Sequence, residues 1–170
     1  MKKSKFLPDY MFSRVWDITP EFLREHKIVS LIMDLDNTLA RAHSPEAWPG
    51  VHEWLMLMES SGIRIIILSN NTEKRILSFL QNKYNYDYIS MSGKPLRINF
   101  SKAVKLLRTP KKNVAMVGDQ IFTDILGGNM SGIMTILVEP FEIKGEGGFF
   151  FDLKRKAESR YINKYKEGLK

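Results

Sequence analysis

The chain has no cysteine among its 170 residues. This absence excludes a disulfide framework and any metal site built on thiolates, and it is compatible with a reducing compartment. No apolar run approaches the length of about 20 residues that a helix needs to span a bilayer. The three histidines, His26, His43 and His52, do not have the spacing of metal ligands, so we expect structural or surface roles for them. No internal repeat or long low-complexity linker divides the chain, and its length predicts a single domain.

The net charge of +7 is concentrated at the two ends of the chain. Residues 1–14 hold four basic residues and one acidic residue, residues 152–170 hold seven and three, and the long segment between them is formally neutral. Basic ends beside aromatic residues are typical of peripheral contact with an anionic membrane surface, and nucleic acid is the alternative partner. Pro8, Asp9 and Arg14 interrupt the apolar region that a signal peptide needs. We therefore expect a cytoplasmic protein, with contact to the inner membrane face through its ends.

Strand-like and helix-like segments alternate through the middle of the chain. Apolar residues at helical spacing, as from Val51 to Met58, separate short apolar runs of the kind that form buried strands. These runs lie at residues 28–33, 65–68, 88–90, 114–117 and 134–138. The alternation predicts an α/β fold in three layers, with a mostly parallel central sheet covered by helices on both faces. We expect an N-terminal helical segment over residues 1–27, a core over residues 28–140 and a basic amphipathic tail over residues 149–170.

Two carboxylates close the first of these runs. Asp34 and Asp36 are two positions apart, so both side chains face one point if the strand geometry continues. Two acids this close stay ionised most readily with a cation between them, which indicates a hard metal ion, acid–base chemistry or both. The alternative is a turn that only ends the strand, because aspartate is common in turns. Position at the carboxyl end of a strand favours the functional interpretation, since open α/β sheets bind ligands there.

Further polar groups follow other predicted strands. Ser69 ends the second run, Lys94 lies in the loop after the weaker strand, and Asp119 and Asp124 follow the run at 114–117. Each of them alone fits an ordinary structural role, as a helix cap, a solvated loop lysine or an aspartate in a turn or at a helix start. In a parallel sheet the carboxyl ends of the strands share one edge. Together with the acidic pair, these groups therefore predict a pocket for a phosphate group and a divalent cation.

The order of these groups resembles the four motifs of haloacid dehalogenase-type phosphatases. Residues 34–38 (DLDNT) look like the first motif, and Ser69, Lys94 and residues 118–124 (GDQIFTD) match the second, third and fourth. The resemblance covers roughly residues 5–165 and extends to the YqeG-like branch, subclass IIIA. The segments that carry this closer resemblance lie at 6–9, 17–20, 68–71, 93–96 and 126–129. It implies a Rossmann-like core, here without a large cap domain.

The resemblance implies chemical roles for three carboxylates, two in the first motif and one in the fourth. Asp34 would be the nucleophile that forms an aspartyl-phosphate, and Asp36 would be the general acid and then the general base. Mg²⁺ would be held by Asp34, by the backbone carbonyl of Asp36 and by Asp119.

Five further residues would bind the substrate or support the site. Ser69 and the backbone amide of Asn70 would bind phosphate oxygens, and Lys94 would offset the negative charge shared by the nucleophile and the phosphoryl group. Asp124 and Thr38 would support the residues that contact the substrate and the metal, and Asp124 would do so by orienting Lys94 or a metal-bound water.

The spacing of the motifs bears on the substrate. The stretches from Asp34 to Ser69 and from Ser69 to Lys94 have room for a loop, a helix and a strand, but not for an inserted cap domain. An open site suits a bulky or surface-bound phosphate ester, with the loop from Ala40 to Pro49 as a small lid at most. The resemblance extends to eukaryotic phosphatidylglycerophosphate phosphatases, which makes a lipid headgroup, phosphatidylglycerophosphate, the leading substrate hypothesis.

Other functions remain open at the level of the sequence. One alternative is a phosphatase of nucleic-acid ends or nucleotides, which would use the same basic residues on phosphates. Another is a non-catalytic protein that binds phosphate or a partner. A receiver module is disfavoured, because Asp119 and Asp124 follow Lys94 here and Asp36 supplies an acid–base group that a lasting signalling phosphate would avoid.

The tail has an apolar stripe with basic residues between its members. Such a stripe predicts a helix, which either docks on the core of the domain or lies at a lipid headgroup boundary. The stripe consists of Phe149, Leu153, Ala157, Tyr161, Tyr165 and Leu169.

Overall fold

The structure, a computed structural model, describes residues 4–42, 44–81, 83–140 and 148–168, and in the last range the side chains are described from residue 156 onward. Among these residues, six strands form a single sheet in which every pairing is parallel. The strands are β1 (Tyr10–Phe12), β2 (Ser30–Met33), β3 (Arg64–Leu68), β4 (Asp87–Ile89), β5 (Val114–Gly118) and β6 (Met134–Val138). Their order across the sheet is β1-β6-β5-β2-β3-β4.

Helices connect these strands. The helix over Val51–Ser60 covers the segment in which the apolar periodicity predicts a helix. The first helix starts at Pro20 behind Thr19, whose Oγ1 accepts a hydrogen bond from the Phe22 amide at 3.2 Å. The helices are α1 (Pro20–Glu25), α2 (Val51–Ser60), α3 (Glu73–Leu80), α4 (Arg97–Leu107), α5 (Leu126–Ser131) and α6 (Gly148–Glu167). Short 3₁₀ turns cover Val15–Asp17 and Lys111–Asn113, and a π-helical turn covers Ile121–Ile125.

The sheet is covered on both faces. Successive side chains of a strand point to opposite sides. Leu31 and Met33 of β2 accordingly belong to the same buried cluster as Phe79 of α3, whereas Ile32 between them belongs to the cluster that contains Phe100 of α4. The predicted three-layer α/β fold with a parallel central sheet is therefore confirmed.

The topology creates a crevice beside β2. The chain runs from β2 outward through β3 and β4, and then returns to the other side of β2 to form β5 and β6. The connections leave the carboxyl ends of β2 and β5 in opposite directions, so the loops above these two strands separate. In open α/β sheets, ligands bind at such a switch point.

The N-terminal segment differs from the sequence prediction. Residues 1–27 were expected to be helical, but β1 forms an edge strand parallel to β6, with Tyr10 opposite Ile136 and Phe12 opposite Val138. The apolar run of these three half-buried residues is too short to predict a strand from the sequence. The pairing with β6 supplies the stability that a strand of this length lacks alone, because a two-stranded ribbon in isolation is marginal.

The described part of the tail docks on the domain. The ring of Tyr161 lies 5.1 Å from that of Phe6, and the buried carboxylate of Glu158 accepts a hydrogen bond from the Phe122 amide at 3.3 Å. The Tyr165 hydroxyl donates to the Asp9 carbonyl oxygen at 3.3 Å. Of the predicted apolar stripe, the side chains of Phe149, Leu153 and Leu169 lie outside the described residues.

Among the described residues, no helix combines the length and apolarity that crossing a bilayer requires.

Candidate active site

Four loops at the carboxyl edge of the sheet supply the polar side chains of one cleft. Asp34 follows β2 directly. Its amide donates to the Val117 carbonyl oxygen at 2.9 Å, which joins the loop after β2 to the end of β5, where the fourth loop begins. Ser69 follows β3, and Lys94 lies in the loop between β4 and α4. The structure therefore brings together residues that the sequence separates widely. The cleft has a volume of about 300 Å³ and is lined by Asp34, Asp36, Ser69, Asn70, Asn71, Lys94, Gln120 and Thr123.

Lys94 occupies the centre of the site. Its Nζ lies 2.5 Å from Oδ1 of Asp34 and 2.8 Å from Oδ1 of Asp124, and its side chain is almost completely buried. Burial on its own would lower the pKa of Lys94, but the carboxylates of Asp124 and Asp34 outweigh it and raise the pKa above its usual value. Lys94 therefore stays protonated at neutral pH and holds the two acids on either side of one cation.

Asp34 is buried and engaged on both oxygens. Its Oδ1 pairs with Lys94, and its Oδ2 accepts a hydrogen bond from Oγ1 of Thr38 at 3.4 Å. Burial raises the pKa of Asp34 to about 6, against the lowering effect of Lys94, and the charge of Asp124 adds to the rise. The carboxylate is thus ionised at neutral pH, and a further cation nearby would stabilise this charged form.

Three carboxylates form a cluster that fits a metal ion. One oxygen from each of Asp34, Asp119 and Asp124 lies within 4.8 Å of the other two, and all three residues are buried. Hard divalent cations prefer such oxygen ligands. Gly118, at the end of β5, permits this arrangement, because a side-chain carbon at its position would overlap the carboxylate of Asp124.

Asp36 has a different environment from the other acids. Its Oδ1 accepts from Nε of Arg75 at 2.9 Å and lies 2.8 Å from Nη2, and its Oδ2 accepts from the side-chain amide of Asn71 at 3.2 Å. The Arg75 Nη2 also donates to the Arg41 carbonyl oxygen at 3.2 Å, in the loop after the first motif. Arg75 thus links the Asp36 carboxylate to the loop that borders the cleft.

Sequence reasoning missed Arg75, although a signal was present. Arg75 precedes Ile76 and lies one turn before Phe79, on the face of α3 that faces the core. A charged residue in an apolar helical stripe needs a buried partner, because an unpaired charge is costly to bury. The stripe itself could therefore have marked Arg75 as a residue with a specific acidic partner.

Asn70 holds two loops of the site together. Its Oδ1 accepts from the Lys94 amide at 2.7 Å and from the Ser92 hydroxyl at 2.9 Å, and its Nδ2 donates to the Lys94 carbonyl oxygen at 3.2 Å. Oγ of Ser69 accepts from the Asn71 amide at 3.1 Å. The side chain of Asn70 thus fixes the backbone of Lys94, while the predicted contact of its amide with phosphate stays a prediction.

The fourth loop orients Asp124 through a π-helical turn. The Asp124 amide donates to the Gln120 carbonyl oxygen at 3.0 Å, and Oδ2 of Asp124 accepts from the Gln120 amide at 3.1 Å. This leaves Oδ1 of Asp124 directed at Lys94. The structure therefore places Asp124 in contact with Lys94 and also within the acidic cluster, while its role in orienting Lys94 or a metal-bound water stays a prediction.

The loop after the first motif is a small β-bridged flap. Asp36 pairs with Ala40, Ala40 pairs with Ala47, and the Trp48 amide donates to the Leu39 carbonyl oxygen at 3.0 Å. Between Asp34 and Ser69, the described residues add only α2 and β3 to this flap. The cleft is accordingly open, as the motif spacing predicts.

Comparisons with known proteins agree with this geometry. A sequence profile of the haloacid dehalogenase-like hydrolases matches residues 5–132. The chain is 37% identical to a protein of Bacillus subtilis described as probable phosphatase YqeG, over 98% of this chain and 95% of that protein. It is 26% identical to the chloroplastic and mitochondrial phosphatidylglycerophosphate phosphatase 1 of Arabidopsis thaliana. That match covers 88% of this chain and 45% of the plant protein, so the chain spans less than half the length of that relative.

A solved structure shares the fold. The 4-nitrophenylphosphatase of Thermotoga maritima superposes with a TM-score of 0.53 over 76% of this chain and 91% of that chain. The sequence identity is 16%, so this similarity concerns the architecture alone.

Proposed function

The chain belongs to the haloacid dehalogenase-like hydrolases, and from this premise we propose that it is a Mg²⁺-dependent phosphomonoester hydrolase that acts through an aspartyl-phosphate. The predicted family and the predicted enzyme class, a phosphatase of this family, are confirmed by the match over most of the chain. The observation that carries the proposed mechanism is the position of Lys94, whose ammonium lies between Asp34 and Asp124 at the base of the open cleft.

The first half of the proposed reaction transfers the phosphoryl group to the protein. One carboxylate oxygen of Asp34 attacks phosphorus, and the bond from phosphorus to the alcohol oxygen breaks. Asp36, which lines the same cleft, gives its proton to that departing oxygen. Lys94 offsets the negative charge that Asp34 and the phosphoryl group share during the attack.

The second half releases inorganic phosphate. Water attacks the phosphorus of the aspartyl-phosphate, Asp36 takes a proton from that water, and the bond from phosphorus to Asp34 breaks. Asp34 returns to its carboxylate form and Asp36 is again protonated, so the cycle closes without any other reactant. The hydroxyl of Ser69 and the backbone amide of Asn70 bind phosphate oxygens in both halves.

The acidic cluster fits the proposed metal. Mg²⁺ would be held by Asp34, Asp119 and the backbone carbonyl of Asp36, while Asp124 pairs with Lys94. The bound ion supplies positive charge that offsets the repulsion between the nucleophile and an anionic substrate.

We propose phosphatidylglycerophosphate, presented at the cytoplasmic face of a membrane, as the substrate. The openness of the cleft supports it, because a lipid headgroup held in a bilayer needs a site that a large cap does not cover. The relative from Arabidopsis thaliana, which is named for this lipid, supports it as well. Nucleic-acid ends and nucleotides are the rival substrates that the test must separate.

Two measurements test the proposal. Asp34→Asn is expected to lower turnover of 4-nitrophenyl phosphate by at least about a thousandfold while the circular dichroism spectrum stays unchanged, because the nucleophile is lost. Glu46→Gln, an exposed change on the flap, is the matched control and keeps wild-type turnover. Wild-type activity of Asp34→Asn would overturn the mechanism.

The substrate is tested by phosphate release from three sources in parallel. These are vesicle-borne phosphatidylglycerophosphate, a phosphorylated oligonucleotide and a nucleotide. Fastest release from the lipid is expected, and faster release from either of the other two would overturn the lipid assignment and leave the mechanism standing.

A further inference from the structure

The loop that carries Lys94 and the first turn of α4 display the most exposed large apolar side chains of the described residues. Ile98 is 72% exposed, Met91 69% and Leu96 62%, all within eight positions of one another. Their neighbours Ser92 and Lys94 are buried in the site. Three exposed apolar side chains therefore lie close in sequence to Lys94, which lines the polar cleft of about 300 Å³. Exposed apolar clusters of this kind mark contacts with a protein, a ligand or a membrane.

This loop belongs to a segment that contains basic residues but no acidic ones. From residue 88 to residue 118 the sequence contains no aspartate or glutamate, although the middle of the chain is neutral as a whole. Among the basic residues of this segment, Lys94 is buried. The others are all exposed: Arg97, Lys102, Lys105, Arg108, Lys111 and Lys112.

Helix α4 presents apolar and basic residues on one exposed face. Ile98, Lys102 and Lys105 have i, i+4, i+7 spacing, which places them on the same side of the helix. The opposite side of α4 is buried through Phe100, Ala103 and Leu107. With a rise of about 1.5 Å per residue, Lys105 lies about 10 Å along the helix from Ile98, so the apolar residue and the two lysines occupy one short stretch of the helix.

We propose that the loop of residues 91–96 and the exposed face of α4, which includes Ile98, dock on an anionic lipid bilayer. Met91, Leu96 and Ile98 enter the headgroup boundary, and Arg97, Lys102 and Lys105 contact the lipid phosphates. Nucleic acid would use the same cations, but it offers no apolar phase for three aliphatic side chains that are more than half exposed. This docking rests on the proposed function, because it delivers a membrane-borne phosphate ester to the cleft beside the loop.

In this arrangement the membrane contact does not lie in the tail. The described aromatic residues of α6 are occupied by the domain, as Tyr161 packs on Phe6 and Tyr165 bonds to Asp9. The basic ends of the chain still add to the long-range attraction, which acts on net charge. The specific contact, however, belongs to the surface beside the active site.

Sedimentation with vesicles tests the docking without using any catalytic step. The full-length protein is mixed with vesicles of phosphatidylcholine, or of phosphatidylcholine with phosphatidylglycerol. We expect binding to the anionic vesicles only. Met91→Ser/Ile98→Ser and Lys102→Gln/Lys105→Gln are each expected to weaken this binding by about tenfold or more, from the loss of apolar insertion and of two phosphate contacts.

Matched controls separate this surface from exposed residues in general. Met56→Ser/Leu57→Ser removes two exposed apolar side chains of α2, and Lys156→Gln/Lys164→Gln removes two exposed charges of α6. Both controls are expected to bind like the wild type. Equal binding to the two kinds of vesicle, undiminished binding of the loop and α4 variants, or loss of binding only in the α6 control would overturn the proposal.

Activity assays keep the two proposals distinguishable. The loop and α4 variants are expected to hydrolyse soluble 4-nitrophenyl phosphate at the wild-type rate and vesicle-borne phosphatidylglycerophosphate more slowly. If the wild type hydrolyses neither ester but binds anionic vesicles through this surface, the proposed function fails and the docking stands. Binding of the wild type to an oligonucleotide and to neither vesicle would overturn the docking.

Discussion

Arg75 donates to Oδ1 of Asp36 through Nε at 2.9 Å, and its Nη2 lies 2.8 Å from the same oxygen. Arg75 is buried, whereas the carboxylate of Asp36 is partly open to the cleft. The guanidinium therefore fixes the direction of the acid without closing the site. A planar donor of this kind positions a carboxylate more strictly than an ammonium would.

We expect Arg75→Gln to lower kcat by about 10- to 100-fold with a much smaller change in KM, because Asp36 loses the donors that aim it at the leaving group. Steady-state kinetics with a soluble phosphomonoester measure both constants. Arg64→Gln is the matched control, since Arg64 lies at the opposite edge of the sheet and donates to Thr109. A variant that keeps the wild-type kcat would show that Arg75 serves packing alone.

Lys94→Met is expected to destabilise the metal-free protein by about 3–5 kcal/mol, because it leaves two buried carboxylates without their shared cation. Urea unfolding in the presence of a chelator measures the free energy of unfolding. The double variant Lys94→Met/Asp124→Asn has one buried negative charge fewer than Lys94→Met and is expected to recover part of the lost free energy of unfolding. A single variant with nearly the wild-type stability would contradict the central place of Lys94.

The pH dependence of stability follows from the raised pKa of Asp34, which burial shifts from 3.8 to about 6. The folded protein binds the proton more tightly than the unfolded chain, so this contribution to stability is complete below pH 3.8 and is lost as the pH rises through 6. Between about pH 4 and pH 7.5, without metal, the wild type should lose about 2 kcal/mol relative to Asp34→Asn. Urea unfolding of both proteins across this range measures the difference, and a constant difference would refute the assignment.

Metal binding is tested by a readout that does not depend on activity. Mg²⁺ in roughly a hundredfold excess over its Kd is expected to raise the Tm of the wild type by about 5–10 °C, since it binds the folded protein alone. Asp119→Asn should abolish most of this rise because it removes one carboxylate of the cluster. Asp87→Asn, an exposed change at the start of β4, is the control and should keep it. An equal Mg²⁺ effect in Asp119→Asn would exclude Asp119 as a ligand.

Three of the site residues that the sequence predicted share one property, which is their position at the end of an apolar run. Asp34, Ser69 and Asp119 each follow a buried strand, and a parallel sheet must bring such ends to one edge. β1 escaped prediction because three half-buried residues carry no periodic signal and depend on β6 for their pairing. The basic surface of α4 escaped it because acidic residues elsewhere in the middle of the sequence cancel its charge, which leaves that long segment formally neutral.

The sequence by itself determined the alternation of strands and helices, the parallel sheet and the edge at which the carboxylates, the hydroxyl and the lysine meet. Periodicity and the chemistry of side chains at strand ends are local properties, so they can be read from neighbouring residues. Only the tertiary structure decided which partner each polar group takes. Arg75 reaches Asp36 across 39 positions and Lys94 reaches Asp34 across 60, because loops from different strands pack together at the sheet edge, and no local pattern encodes that packing.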